Sequence, residues 1–183
     1  LSSDAGIGSV CFGSAASGGK IITGQATRSG EGSMAFGFAE SNGQIFTGFS
    51  GSDAEGSLAF GYAQTDGCII AGGKGSAAHG WAIGSGAVIR ARSNGSHAYG
   101  GVDDTANIEA GHSNAAARGS SAHGYAEDTA SIRTGGPSDA SFTTAYGAVA
   151  SGHAKGTATI TARNDGSYAF GDVFSTNVSD GFI

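Results

Sequence analysis

The chain repeats itself, and that constrains its fold more than any other feature. The run Gly-Ser-x-Ala-(aromatic or His)-Gly-x-(Ala or Val) occurs from Gly32 (GSMAFGFA), Gly56 (GSLAFGYA), Gly75 (GSAAHGWA), Gly95 (GSHAYGGV), Gly119 (GSSAHGYA) and Gly166 (GSYAFGDV). Two weakened copies complete the series: GSVCFGSA from Gly8, with Cys11 in the Ala slot, and FTTAYGAV from Phe142. Successive starts lie 24, 24, 19, 20, 24, 23 and 24 residues apart. A second motif, I-x-(T/A)-(G/R), alternates with the first and begins at Ile21, Ile45, Ile69, Ile89, Ile108, Ile132 and Ile160. A fixed period of this length is the signature of stacked supersecondary units, each unable to bury its apolar face alone.

Both motifs alternate with a period of two, and neither carries the i, i+3, i+4 pattern of a helix. Turn formers separate them, such as Glu40-Ser41-Asn42-Gly43, Gln64-Thr65-Asp66-Gly67 and Ser93-Asn94-Gly95. Each unit therefore reads as strand, turn, strand, turn. Like strands return in the same direction and stack in parallel. The expected fold is all-β: a parallel β-solenoid (β-helix or β-roll) of about eight 19–24-residue repeats, with two short strands per repeat. It forms one domain over residues 1–183, compatible with a segment of a longer array. The longer units carry extra turn residues, such as Ser50-Gly51-Ser52-Asp53.

Composition agrees. Leu, Ile, Val and Phe supply under a fifth of the 183 residues, yet only 13% are charged and 9% are aromatic, so the chain lacks the charge of a disordered one. Glycine, at 35 residues, allows close backbone approach and a continuous hydrogen-bond ladder in place of bulky packing. The net charge of −6, with thinly spread basic residues, argues against nucleic-acid binding. No apolar run is long enough to insert in a membrane as a helix. Leu1-Ser2-Ser3-Asp4 has neither the basic nor the apolar stretch of a signal peptide. Cys11 and Cys68 fall on different strands two units apart, so no intrachain disulfide is expected. The sequons at Asn94 and Asn177 are what a serine-rich chain produces by chance.

Within the first motif, Ser, Ala, Gly and the final Ala share one strand face, as in Ser57, Ala59, Gly61 and Ala63. Uniform smallness points to a tight contact, and the preferred reading turns this face inward. The opposite face then carries columns of large side chains. The central slot holds Phe12, Phe36, Phe60, His79, Tyr99, His123, Tyr146 and Phe170. The neighbouring slot holds Ser14, Phe38, Tyr62, Trp81, Gly101, Tyr125, Ala148 and Asp172. Rings repeated at about 4.8 Å can stack. Such a patch is either buried, as core or beneath a neighbouring chain, or used as a ligand strip. The candidate interface or binding residues are Phe36, Phe38, Phe60, Tyr62, His79, Trp81, Tyr99, His123, Tyr125, Tyr146 and Phe170.

No catalytic constellation stands out, and no cofactor or metal site is expected. H-E-x-x-H, C-x-x-C, the phosphate-binding loop and calcium-type glycine-aspartate repeats are all absent. Of the five histidines, His79 and His123 occupy ring slots, beside His97, His112 and His153. Asp103-Asp104 and Glu127-Asp128 fall in turns, where paired acids are solvated. The chain reads as non-enzymatic.

The units GSLAFGYA and GSMAFGFA resemble the head repeats of YadA-type trimeric autotransporter adhesins. That family's unit is shorter and carries aliphatic residues where this chain has Phe, His and Tyr. The resemblance implies a β-roll, association of three chains, and adhesion to extracellular matrix or host surfaces. The expected function is thus a structural or adhesive surface module, extracellular or at the cell surface. It would self-assemble through the aromatic columns as a fibre, filament or trimeric head. The alternatives are a carbohydrate-binding solenoid, contacting glycan or a host surface through Tyr62, Trp81 and Tyr125, and an ice-binding protein. Ice binding requires ordered ranks of threonine, of which Thr157-Ala158-Thr159-Ile160-Thr161 is an isolated instance.

Overall fold

The computed structural model describes residues 2–3, 8–23, 31–48, 54–111, 118–135 and 145–175. The described chain forms sixteen strands and no helix. They are β1 (Ser2–Ser3), β2 (Val10–Ala15), β3 (Lys20–Thr23), β4 (Met34–Glu40), β5 (Gln44–Thr47), β6 (Leu58–Gln64), β7 (Cys68–Ala71) and β8 (Ala77–Ile83). The series continues with β9 (Val88–Ala91), β10 (His97–Asp103), β11 (Asn107–Ala110), β12 (Ser121–Ala126), β13 (Ser131–Thr134), β14 (Val149–Gly156), β15 (Thr159–Ala162) and β16 (Tyr168–Ser175).

Odd-numbered strands pair in chain order into one eight-stranded sheet, even-numbered strands into another. Every pairing is parallel. The protein is a β-solenoid with two strands per coil.

The two inner faces build the core from different side chains. The odd sheet contributes one unbroken column, Ile21, Ile45, Ile69, Ile89, Ile108, Ile132 and Ile160, all fully buried. The even sheet contributes only small residues: Ala35, Ala59, Ala78, Ala98, Ala122 and Ala150 in one column, and Ala39, Ala63, Ala82, Val102, Ala126 and Ala154 in another, all buried. The isoleucine row and a second, smaller row of the odd sheet (Thr23, Thr47, Ala71, Ala91, Ala110, Thr134 and Ala162) pack against these small rows in a narrow interior. Cys11 takes the Ala position of the first coil, and its thiol donates to the Ile21 carbonyl at 2.9 Å.

Between the two alanine columns runs a glycine column: Gly13, Gly37, Gly61, Gly80, Gly100, Gly124, Gly152 and Gly171, with φ from +136° to +144°. A Cβ on any of the first seven would fall on the carbonyl oxygen of the next glycine in the column. The invariant Gly at the centre of the motif is therefore required twice, by its dihedral and by the approach of adjacent coils.

The opening Gly-Ser of the motif is a corner. Gly56, Gly75, Gly95 and Gly166 sit at φ between +60° and +65°. The following serine points inward and closes the turn: Ser76 Oγ donates to the Gly73 carbonyl and Ser96 Oγ to Ser93, each at 2.6 Å. The opposite corner uses two left-handed residues, Ser41-Asn42 and Thr65-Asp66, closed by Gly43 N–H to Glu40 and Gly67 N–H to Gln64. Cys11 and Cys68 stand on different sheets, both as free thiols.

The seventh copy of the motif differs from the sequence reading. It is Gly147-Ala148-Val149-Ala150-Ser151-Gly152-His153-Ala154, because Ala150 pairs with Ala122 and Ala169, and Gly152 with Gly124 and Gly171. Tyr146 therefore does not belong to the central ring column. It lies at the corner before Gly147, and its carbonyl accepts the Gly166 N–H, as Glu31, Glu55, Lys74, Asn94 and Arg118 do in earlier coils. Ala148 is likewise an inward, fully buried residue. Unit lengths run from 19 to 28 residues rather than 19 to 24. The extra residues of the long units fall within 24–30, 49–53, 112–117 and 136–144, and these, with Phe142 and His112, lie outside the described residues.

Candidate functional site: the outer face of the even sheet

Alternation places every second residue of the even strands outward, in four parallel columns. The first column runs Val10, Met34, Leu58, Ala77, His97, Ser121, Val149 and Tyr168. The second runs Phe12, Phe36, Phe60, His79, Tyr99, His123, Ser151 and Phe170. The third runs Ser14, Phe38, Tyr62, Trp81, Gly101, Tyr125, His153 and Asp172. The fourth holds Glu40, Gln64, Ile83, Asp103, Glu127, Lys155 and Phe174. Of the ten large apolar side chains exposed among the described residues, nine lie on this face, and the tenth is Tyr146. The small face is the inner one, and the rings are not the core of the solenoid; the isoleucine column fills that place.

The second column is a continuous stack. From Phe12 through Phe36, Phe60, His79 and Tyr99 to His123, consecutive ring centroids lie 4.6 to 5.0 Å apart and their planes are within 4° of parallel. In-register parallel strands impose this spacing, and identical rotamers follow from identical backbone. Each inner ring has both faces against neighbours, so the column presents ring edges to solvent. The stack ends where Ser151 replaces a ring and its Oγ meets His123 Nδ1 at 3.0 Å. Burial in the stack lowers the affinity of His79 and His123 for a proton; His97 adds to the effect at His79.

The third column is less regular. Phe38 and Tyr62 stack at 5.6 Å, and the Tyr62 hydroxyl donates to Glu40 Oε1 at 2.6 Å, which raises the phenol above its ordinary value. Gly101 then leaves a gap. The Trp81 indole leans across it, so that a Cβ at Gly101 would collide with the ring, and reaches within 6.2 Å of Tyr125 at a 41° tilt. Trp81 remains 46% exposed. Beyond it, Lys155 pairs with Glu127, holding that carboxyl below its usual range, and Glu127 in turn binds Tyr125. His153 packs against Tyr125 and the edge of Phe174.

No family model, curated protein or solved structure matches this chain. The site must be read from its own residues.

The structure brings together ten of the sequence-predicted residues, Phe36, Phe38, Phe60, Tyr62, His79, Trp81, Tyr99, His123, Tyr125 and Phe170, on one face, and leaves Tyr146 at a corner. The sequence reading missed Ser151 and His153 in the ring columns, and it missed the first and fourth columns. A constant offset was the available signal: ten residues separate the Ala slot from the following Ile in the coils of Ala35, Ala59, Ala98, Ala122 and Ala150. On the outer face of the odd sheet, Arg90 and Arg92 both pair with Glu109, at 3.4 and 3.2 Å. Outward Thr159 and Thr161 stand alone there in columns headed by Lys20 and Ile22, so the described residues assemble no rank of threonines. Among the described residues, no group of three or more His, Cys, Asp or Glu is placed to hold a metal ion.

Proposed function

We propose that this protein is a non-enzymatic structural or adhesive module, extracellular or at the cell surface, that associates with further copies of itself through the outer face of the even sheet. The observation that carries this is the ring stack in the middle of a flat, largely apolar face. Seven strand spacings of about 4.8 Å and three column spacings of about 6.7 Å span an area of about 700 Å². That is close to the roughly 800 Å² each partner contributes to a standard interface. Exposed apolar patches of this size mark interaction surfaces. The likeness to trimeric adhesin heads would make the association three-fold.

A second copy suits the face better than a sugar does. Sugars pack their C–H faces on open ring faces, whereas the second column offers edges. Flat, repetitive edges match another flat sheet, where edge-to-face contacts and exclusion of water act together. One feature favours the carbohydrate reading: Trp81 and Tyr125 depart from the stack and leave an indole exposed. Glycan-array binding abolished by Trp81→Ala with Tyr62→Ala and Tyr125→Ala would establish that second activity.

The main reading is tested by sedimentation velocity over a wide concentration range. The wild-type chain should form species of integral multiple mass. Met34→Glu with Phe38→Glu, at two exposed positions outside the stack, should stay folded and sediment as a monomer. A wild type that remains monomeric at high concentration, or a double variant that assembles like it, overturns the reading.

A further inference from the structure

The aromatic face is chemically divided. In the first three coils its columns hold apolar or aromatic residues apart from Ser14, Gln64 and one charged group, Glu40, bonded to Tyr62. From the fourth to the seventh coil it holds His79, His97, His123 and His153, all on this one face. Two of the four, His79 and His123, are members of the ring stack and sandwich Tyr99 at 5.0 and 4.7 Å with planes 1° apart. We propose that protonation of these stacked imidazoles releases copies of the chain from one another, making the face a pH-gated contact. This rests on the self-association reading above and adds its regulation.

A neutral imidazole is flat and aromatic and continues the column of phenyl rings. An imidazolium in the same slot carries a full charge that a covering partner would strip of water. The surroundings do not neutralise that charge. On β6, Tyr62 lies one column over from the ring stacked on His79; β10, the strand between the two histidines, carries Tyr99 in the ring column, His97 in the first and Asp103 in the fourth. On β14, Ser151 faces His123 while His153 and Lys155 stand in the third and fourth columns, and on β12 itself lie Tyr125 and Glu127, the latter held by Lys155. Beyond β14, Asp172 on β16 neighbours His153. No carboxylate sits in the ring column, where the polar contact is the Ser151 hydroxyl on His123. With neutral imidazoles the charged groups on the face are Glu40, Asp103, Glu127, Asp172 and Lys155, a balance of −3. With all four histidines protonated it becomes +1, so the release comes from stripping water from each imidazolium and not from repulsion between like faces.

The sign follows from linkage. Association covers the imidazoles further and so disfavours their protonated form. Contact is therefore full above the imidazole range and weakens as pH falls through it. If each stacked histidine loses a further unit of proton affinity on association, the dissociation constant rises about 100-fold at pH below both transitions.

The test is sedimentation equilibrium of the full chain at about pH 7.5 and about pH 5, with circular dichroism at both to confirm a folded sheet. Wild type should weaken by roughly one to two orders of magnitude at the lower pH. His79→Phe with His123→Phe keeps a ring in both slots, as Phe36 and Phe60 do, and should lose most of that pH dependence, His97 and His153 being the histidines left on the face. Wild-type association independent of pH, or a double variant that weakens as much as wild type, overturns the gate while leaving self-association standing. A folded wild type that is monomeric at both values overturns the gate together with the reading it rests on.

Discussion

Replacing Gly61 by Ala probes the feature on which the whole stack depends. Gly61 sits at φ +140°, a region that side-chain-bearing residues avoid, and the backbone term alone costs about 1–3 kcal/mol. The added methyl would lie 1.9 Å from the Gly80 carbonyl oxygen, where ordinary contact begins at 3.4 Å. The strands β6 and β8 would have to part locally by about 1.5 Å, breaking two or three ladder hydrogen bonds worth about 1 kcal/mol each. The expected loss is therefore about 3–6 kcal/mol. Gly56→Ala is the internal control: φ is +62° and nothing lies within 4 Å of the new methyl, so the cost is the left-handed penalty alone, about 1–2 kcal/mol. Urea denaturation followed by far-UV circular dichroism would measure both, with slopes compared because repeat arrays can lose two-state behaviour. If Gly61→Ala were no more damaging than Gly56→Ala, the close approach of adjacent coils through the glycine column would be refuted.

Other expectations follow from the same geometry. Ile89→Ala removes a fully buried side chain from the middle of the isoleucine column and should cost about 2–5 kcal/mol in the same denaturation experiment. Ser76→Ala should cost about 1 kcal/mol, because its hydroxyl both donates to the Gly73 carbonyl and accepts the Gly73 N–H, whereas Ser57→Ala should be close to neutral, since the buried Ser57 hydroxyl has no partner among the described residues. For the isolated chain, His79 and His123 are harder to protonate folded than unfolded. Stability should be complete above the unfolded imidazole value and decline as pH falls toward the folded one. Thermal melts across that range on dilute monomer should show the decline in wild type and its reduction in the His79→Phe, His123→Phe variant.

The fold was legible because its demands recur at fixed intervals. A glycine required by both dihedral and contact cannot vary, and the inward positions beside it admit only small residues (Ala, with Cys11, Val102 and Val173 as variants), so A-x-G-x-(A/V) survives in nearly every unit. The stacking of Phe36 on Phe60 was legible for the same reason: register alone sets ring spacing. What misled the reading was Ala145-Tyr146-Gly147, which imitates the motif at a corner. Local pattern matching favoured it because it contains a ring, while the true copy, with Ser151 in the ring slot, lacks one. Outer-face residues are free to change, so a ring is a poor marker of register; the inward glycine and the ten-residue offset to Ile are good ones. The role of the isoleucine column escaped notice because one large residue per coil is too sparse to look like a core in composition. Only the opposing sheet of alanines makes it sufficient.

The same division of labour explains where function can reside. Interior positions are fixed by packing and corners by backbone conformation, which leaves the outer columns as the places where this chain departs from uniformity without disturbing its stack. Along the even sheet that freedom has produced a sequence of rings, then histidines, then mixed charge, rather than the scattered polar residues that solvent alone would favour. A column of phenyl rings on a solvent-facing sheet costs solubility and contributes little to coil stability that smaller β-formers would not. Its persistence over the first three coils, Phe12, Phe36 and Phe60, is what the proposed self-association would account for. The histidines that continue it at His79 and His123 are the ring type whose charge changes near neutral pH, which is what the proposed gate requires.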